Sequence, residues 1–109
     1  MTKYLVLYRS PVSAREQMAQ GTPEQRQAGM DAWMTWAKKA GTAIVDLGSP
    51  LGDTAHVGGG GAGQGFIGGF SILQAESIGG VKKVLDGHPH LMMPGASIEV
   101  LEFMPIPGM

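Results

Sequence analysis

Residues 3–9, KYLVLYR, constrain the fold of this 109-residue chain more than any other stretch. They read as a strand. Successive side chains of a strand alternate between faces, so Tyr4, Val6 and Tyr8 point one way and Leu5 and Leu7 the other. Both sides are apolar. A strand of this kind is buried on both faces, so whatever sheet it joins must be covered twice.

The rest of the chain supplies the covering elements in order. Ser10-Pro11-Val12-Ser13 breaks the first strand, and residues 14–20 suit a loose helical turn. Thr22-Pro23-Glu24-Gln25 then opens a clear helix, with Thr22 as cap, Pro23 at the first helical position and Gln25 completing a capping box. Met30, Trp33, Trp36, Ala37 and Ala40 recur at helical spacing on one face, which predicts that they line the core. Lys38 and Lys39 suit the negative end of the helix dipole, and Gly41 is a natural stop. Residues 42–47 read as a second strand ended by Gly48-Ser49-Pro50. A polar, glycine-heavy connection follows, LGDTAHVGGGGAGQG. Residues 66–74 form a third strand whose Gly68-Gly69 weaken it unless a bulge or close backbone neighbour requires them. A second helix begins at Glu76 or Ser77, turns Ile78, Val81, Val84 and Leu85 inward, and ends at Gly87 and Pro89. Residues 97–103 are the last strand.

One chain of this length is one domain, residues 1–109. Net charge is −1 with both signs dispersed, so no basic stripe exists for nucleic acid or an anionic membrane. The apolar run near the N-terminus is too short for a signal peptide or a membrane span, which predicts a cytoplasmic domain. With no cysteine, a disulfide framework and a thiol nucleophile are both excluded.

Strand–helix–strand–strand–helix–strand is the split βαβ, or ferredoxin-like, α+β arrangement: an antiparallel four-stranded sheet with its helices on one face. The opposite face is then bare, while Leu5, Leu7, Ile98, Val100, Leu101 and Phe103 leave apolar groups on both sides. A patch of that kind marks an interface. The expectation is a homodimer through the open sheet face.

Several motifs now fall into a recognisable order. Gly48-Ser49-Pro50-Leu51, Gly68-Gly69-Phe70-Ser71-Ile72, His88-Pro89 and Ser97-Ile98-Glu99-Val100 resemble the YCII-related proteins, and among them the DGPF-domain subgroup. The resemblance spans residues 22–105. It implies the dimeric α+β barrel fold. It also implies a small-molecule ligand, since some relatives are small lyases or dehalogenases that use a histidine paired with an acid. Of the family's groups only His88 carries over. The first-helix histidine of one branch falls on Met30, and the DGPF segment is replaced by the glycines of residues 58–65.

His88 follows a helix end and precedes proline, which holds its backbone extended and directs its side chain toward the space between helix and sheet. An imidazole titrates near neutrality and so suits general acid–base work. Asp53, Asp46 and Asp86 are its candidate acid partners, and spacing does not choose among them. The competing reading is a helix-terminal histidine that only satisfies backbone carbonyls. Asp86, His88, His90, Asp53 and His56 lack paired-ligand helix spacing, and Pro89 between two of the histidines should turn their side chains apart, so no metal site is expected. Gly58-Gly60-Gly63 and Gly63-Gly65-Gly68 match a dinucleotide fingerprint in letters only. That fingerprint must turn from a strand into a helix, whereas a strand follows here, so no nucleotide cofactor is expected. The glycine segment reads as a hairpin connection or a lid over the site. Two function classes follow: an acid–base enzyme of lyase, isomerase or dehalogenase type centred on His88, and a non-catalytic module that binds a small ligand or a partner.

Overall fold

Tyr4, Val6, Tyr8 and Ser10 are all buried, while Leu5, Leu7 and Arg9 between them are only half-buried. The alternation places strand β1 (Thr2–Ser10) at the centre of a sheet with one covered and one open face. This description comes from a computed structural model, which describes residues 1–58 and 65–108. The remaining elements are α1 (Ala14–Gln20), α2 (Pro23–Ala40), a 3-10 turn (Gly41–Ala43), β2 (Ile44–Pro50), β3 (Phe66–Ala75), α3 (Ile78–Leu85), a second 3-10 turn (Pro89–Met92) and β4 (Ser97–Glu102). The sheet order is β2-β3-β1-β4, with every neighbouring pair antiparallel. This is the ferredoxin-like α+β arrangement, with one addition. The loose turn expected after β1 is a helix of its own, capped by the Ser13 side chain, which accepts from Glu16 N–H.

The helices begin where their capping chemistry dictates. Thr22 Oγ1 accepts from Gln25 N–H at 3.1 Å and Gln25 Oε1 accepts from Thr22 N–H at 2.9 Å, so the capping box of α2 is complete. Gly41 at φ +55 ends the helix, with its N–H on the Ala37 carbonyl. Two side chains read as core are at the surface instead: Met30 is 59% exposed and Ile78 52%. The covered stripe of α2 runs through Trp33, Trp36, Ala37 and Ala40, and Met30, one turn before Trp33, is not part of it. Ile78 is the first residue of α3, where the helix has not yet reached the core that Val81 and Leu85 fill.

The core is one cluster, Tyr4, Val6, Tyr8, Trp36, Leu73, Val81 and Leu85, with Ile98 and Val100 of β4 against it. The two faces of β4 therefore separate cleanly. Ile98 and Val100 serve the helix side, and Leu101 and Phe103 the open side. Burying each large apolar side chain contributes about 1.5–3 kcal/mol.

Strand β2 does not stop at Leu47 but runs through Gly48-Ser49-Pro50 by taking two register irregularities against β3. Gly48 makes this possible. It sits at φ +84, and a Cβ there would stand 1.6 Å from the Phe70 carbonyl oxygen. The close approach expected at Gly68-Gly69 is real at the second position, where a Cβ would meet Ser49 O at 3.1 Å. The molecule is 20 Å along its thinnest axis, the depth of one helix layer on one sheet.

Candidate functional site

The chain leaves α3 through Gly87, whose φ of +72 reverses its direction, and enters the second 3-10 turn with His88 as its cap. Pro89 excludes the helical region for His88, which adopts φ −60 and ψ 136. Three hydrogen bonds then fix this corner. His88 N–H donates to Leu85 O (3.1 Å), Leu91 N–H donates to His88 O (3.0 Å), and His90 N–H donates to His88 Nδ1 (3.0 Å). Because Nδ1 accepts, the ring's proton resides on Nε2 in the neutral form.

The ring is wholly buried, between α2 and β1, and its neighbours are aromatic. Tyr8 stacks on it at 5.0 Å with an interplanar angle of 28°. Trp33 and Trp36 meet it edge-on, at 4.5 Å and 86° and at 4.4 Å and 62°. Nε2 has no hydrogen-bond partner among the described residues. Loss of water around the ring, and secondarily the proximity of His90, push its pKa down to about 4. At neutral pH His88 is an uncharged donor.

Two walls of this box are held by hydrogen bonds. Trp36 Nε1–H donates to Val84 O at 2.9 Å, tying α2 to α3. Ser71 Oγ donates to Leu47 O at 2.6 Å, so in the 2.8 Å contact between the two hydroxyls Tyr8 is the donor. Burial raises the Tyr8 pKa against a smaller opposing effect of that hydrogen bond, and the phenol stays protonated. Gly69 stands opposite Tyr8 and leaves room for its ring, 3.6 Å from where a Cβ would be.

His90, given no role by its position in the motif, bridges two strands. Its Nε2–H points at Arg9 O (2.8 Å) and Ser97 O (3.1 Å), opposite residues of β1 and β4. Far from being turned apart, the two histidines both pack on the Tyr8 ring, His90 at 5.4 Å. The alternation of β1, which aims Tyr8 at the helix layer, and the helical spacing of Trp33 and Trp36 hinted at the cluster, but nothing in the sequence placed His90 in it.

The candidate acids lie elsewhere. Asp46, on β2, accepts from Gly48 N–H at 2.8 Å and is exposed. Asp53 pairs with Arg15 at 3.4 Å, both side chains largely in solvent, which is worth little. Asp86 is exposed at the end of α3. No hydrogen bond or ion pair joins His88 to a carboxylate among the described residues. Those residues also contain no group of three or more His, Asp or Glu side chains arranged to hold a metal ion. Two of the surface hollows among the described residues lie at the flanks of the fold. One lies between Thr42, Ser77 and Lys83, the other between Arg9, Phe66 and Gly95, and neither is lined by His88. Of the glycine segment 58–65, read as a hairpin connection or a lid, residues 59–64 lie outside the described residues. No helix among the described residues is long and apolar enough to cross a membrane.

No model of a known family matches the chain, and no curated protein matches it. Among solved structures it is similar to the 5-chloro-2-hydroxyhydroquinone dehydrochlorinase of Burkholderia phenoliruptrix AC1100, solved in complex with 2,5-dihydroxybenzoquinone. The likeness has a TM-score of 0.46 and 20% identity, over 88% of this chain and 90% of that one. A similarity at that level carries no inference about chemistry. The YCII-related resemblance accordingly rests on the motifs alone.

Proposed function

We propose that the chain is a homodimeric binding module for a small molecule or a partner, built on the YCII-related plan its motifs resemble, and that His88 organises its interior rather than carrying protons. One observation supports this reading. His88 is fully buried and its hydrogen bonds run only to backbone groups. A general base offers a free lone pair to its substrate near neutral pH. Here the lone pair on Nδ1 is occupied by His90 N–H, and Nε2 already bears a hydrogen. The test is long-range proton–nitrogen NMR of the His88 ring between about pH 5.5 and 8. The expected result is a neutral ring protonated on Nε2 throughout. A ring that titrates near its ordinary value, or one protonated on Nδ1, overturns the reading.

The unpartnered Nε2–H favours a second reading, an acid–base enzyme of lyase, isomerase or dehalogenase type. In it a substrate oxygen accepts from Nε2–H once Trp33, the half-buried wall of the box, has moved aside. Turnover of a small halogenated or hydroxylated organic acid that disappears in a folded His88→Phe variant would support this reading over the first.

A further inference from the structure

Strand β2 holds its irregular course with side chains, where a regular strand uses its ladder. Asp46 stands opposite Ile72 and Ser49 opposite Phe70, so β2 spends one residue more than β3 over the same stretch. The extra residue makes a bulge at Leu47-Gly48. Two side-chain bonds close it. From the solvent side, Asp46 Oδ1 accepts from Gly48 N–H at 2.8 Å. From the core side, Ser71 Oγ donates to Leu47 O at 2.6 Å. Ser71 stands opposite Val6, and both side chains are wholly buried on the helix-covered face. A strand carbonyl ordinarily lies in the plane of the sheet. Leu47 O is reached from above that plane, so it has turned out of it. Water competes for the bond of exposed Asp46 but not for that of Ser71, so the inner bond governs the bulge.

Ser71 is tied in turn to the box around His88. Its hydroxyl accepts from the Tyr8 hydroxyl at 2.8 Å, and the Tyr8 ring is stacked on His88 at 5.0 Å. A hydroxyl that accepts one hydrogen bond donates the next more strongly, and Ser71 has a single proton to give. With Tyr8 seated, that proton is committed to Leu47. With the phenol displaced, Ser71 loses its donor and its hydroxyl is free to rotate. Strand β2 also has a second arrangement to enter. Removing the bulge pairs Leu47 with Ser71 in a regular ladder and exchanges the faces of Ser49 and Pro50. We infer that Tyr8 and Ser71 form a latch between the His88 box and the edge strand: the seating of the Tyr8 ring against His88 sets how firmly β2 holds its bulge. The latch rests on these contacts alone and operates under either function proposed for the site.

The test is amide hydrogen exchange followed by NMR under matched conditions. It reads Leu51, whose N–H extends the ladder to Gly68 O at 3.0 Å, and the β2 amides that face β3. The amides of β1, which has a partner strand on each side, are the reference. Four proteins are compared: the unaltered chain, Tyr8→Phe, His88→Leu and the two substitutions together. The expected result is that β2 exchange, taken relative to β1, rises at least about fivefold in each single variant. In the Tyr8→Phe background His88→Leu should add less than about twofold, because the hydroxyl that carries its effect is gone. Exchange that rises in one ratio throughout the sheet overturns the latch and leaves both residues as packing. An equal effect of His88→Leu with and without the Tyr8 hydroxyl overturns it too, as does unmoved β2 exchange in either single variant. His88→Phe, which keeps a ring in the box, takes the place of His88→Leu if the latter does not fold.

Discussion

Acidification from about pH 7.5 to 4 should destabilise this protein through His88, and the size of the effect follows from its surroundings. The ring is buried against Tyr8, Trp33 and Trp36 with a pKa of about 4, against 6.5 for an unfolded histidine. Between those values the unfolded chain binds a proton that the folded chain refuses, so stability rises with pH across the window and falls as pH drops through it. At 1.36 kcal/mol per pKa unit the full span is worth about 3 kcal/mol, of which about 2 kcal/mol is already gone by pH 5. That is a large share of the roughly 5–15 kcal/mol that holds a domain together. Urea unfolding followed by tryptophan fluorescence reads the change directly, since both indoles touch the ring, and fixed protein concentration removes the effect of association. His88→Phe is the comparison. It is expected to be offset at all pH values, because His90 N–H loses its acceptor, and to show a slope flatter by that same 3 kcal/mol. Parallel stability curves for the two proteins between about pH 7.5 and 4 would refute the reasoning.

Three further substitutions test the backbone reading, each by urea denaturation. Gly29→Ala, in the interior of α2 with no neighbour within 4 Å of the new methyl group, should stabilise by about 0.5–1 kcal/mol. Gly48→Ala should cost at least about 3 kcal/mol or prevent folding, because the methyl group would overlap the Phe70 carbonyl and the φ is unfavourable. A mild effect would mean that the β2 irregularity is not built as described. Thr22→Ala removes one half of the capping box and should cost about 1 kcal/mol, while Thr22→Ser should cost much less.

Features that depend on near neighbours were legible in the sequence. The capping box at Thr22 and Gln25, the stop at Gly41 and the alternation of β1 each follow from a few adjacent residues, and each is present in the structure. Features that depend on the width of the covering layer were not. Met30 and Ile78 fit the helical period, but both lie at the surface, outside the cluster that their helices cover. Strand β2 was read as ending at Leu47 because glycine and proline usually break strands. At an edge, where only one ladder need be kept, they instead permit the irregular register. The site was half legible. His88 stands out as a histidine before proline, but its aromatic box is assembled from β1 and α2, residues distant in sequence. The three candidate carboxylates are exposed and none is hydrogen-bonded to the buried ring, a difference in depth that spacing along the chain does not reveal.

The irregular edge has a consequence for how copies of this chain can meet. An exposed strand with regular spacing invites another strand to add to it, and addition at both edges of a sheet produces ribbons that never terminate. Here the β2 edge carries two register irregularities and Pro50, and the chain leaving the opposite edge carries Pro105 and Pro107. The β2 rim offers no uninterrupted row of donors and acceptors, and the chain beyond β4 cannot lengthen the row at the other rim. Growth by lateral strand addition is therefore disfavoured, while the flat apolar face between the rims stays open. Under the homodimer proposed above, contact through that face closes after two members.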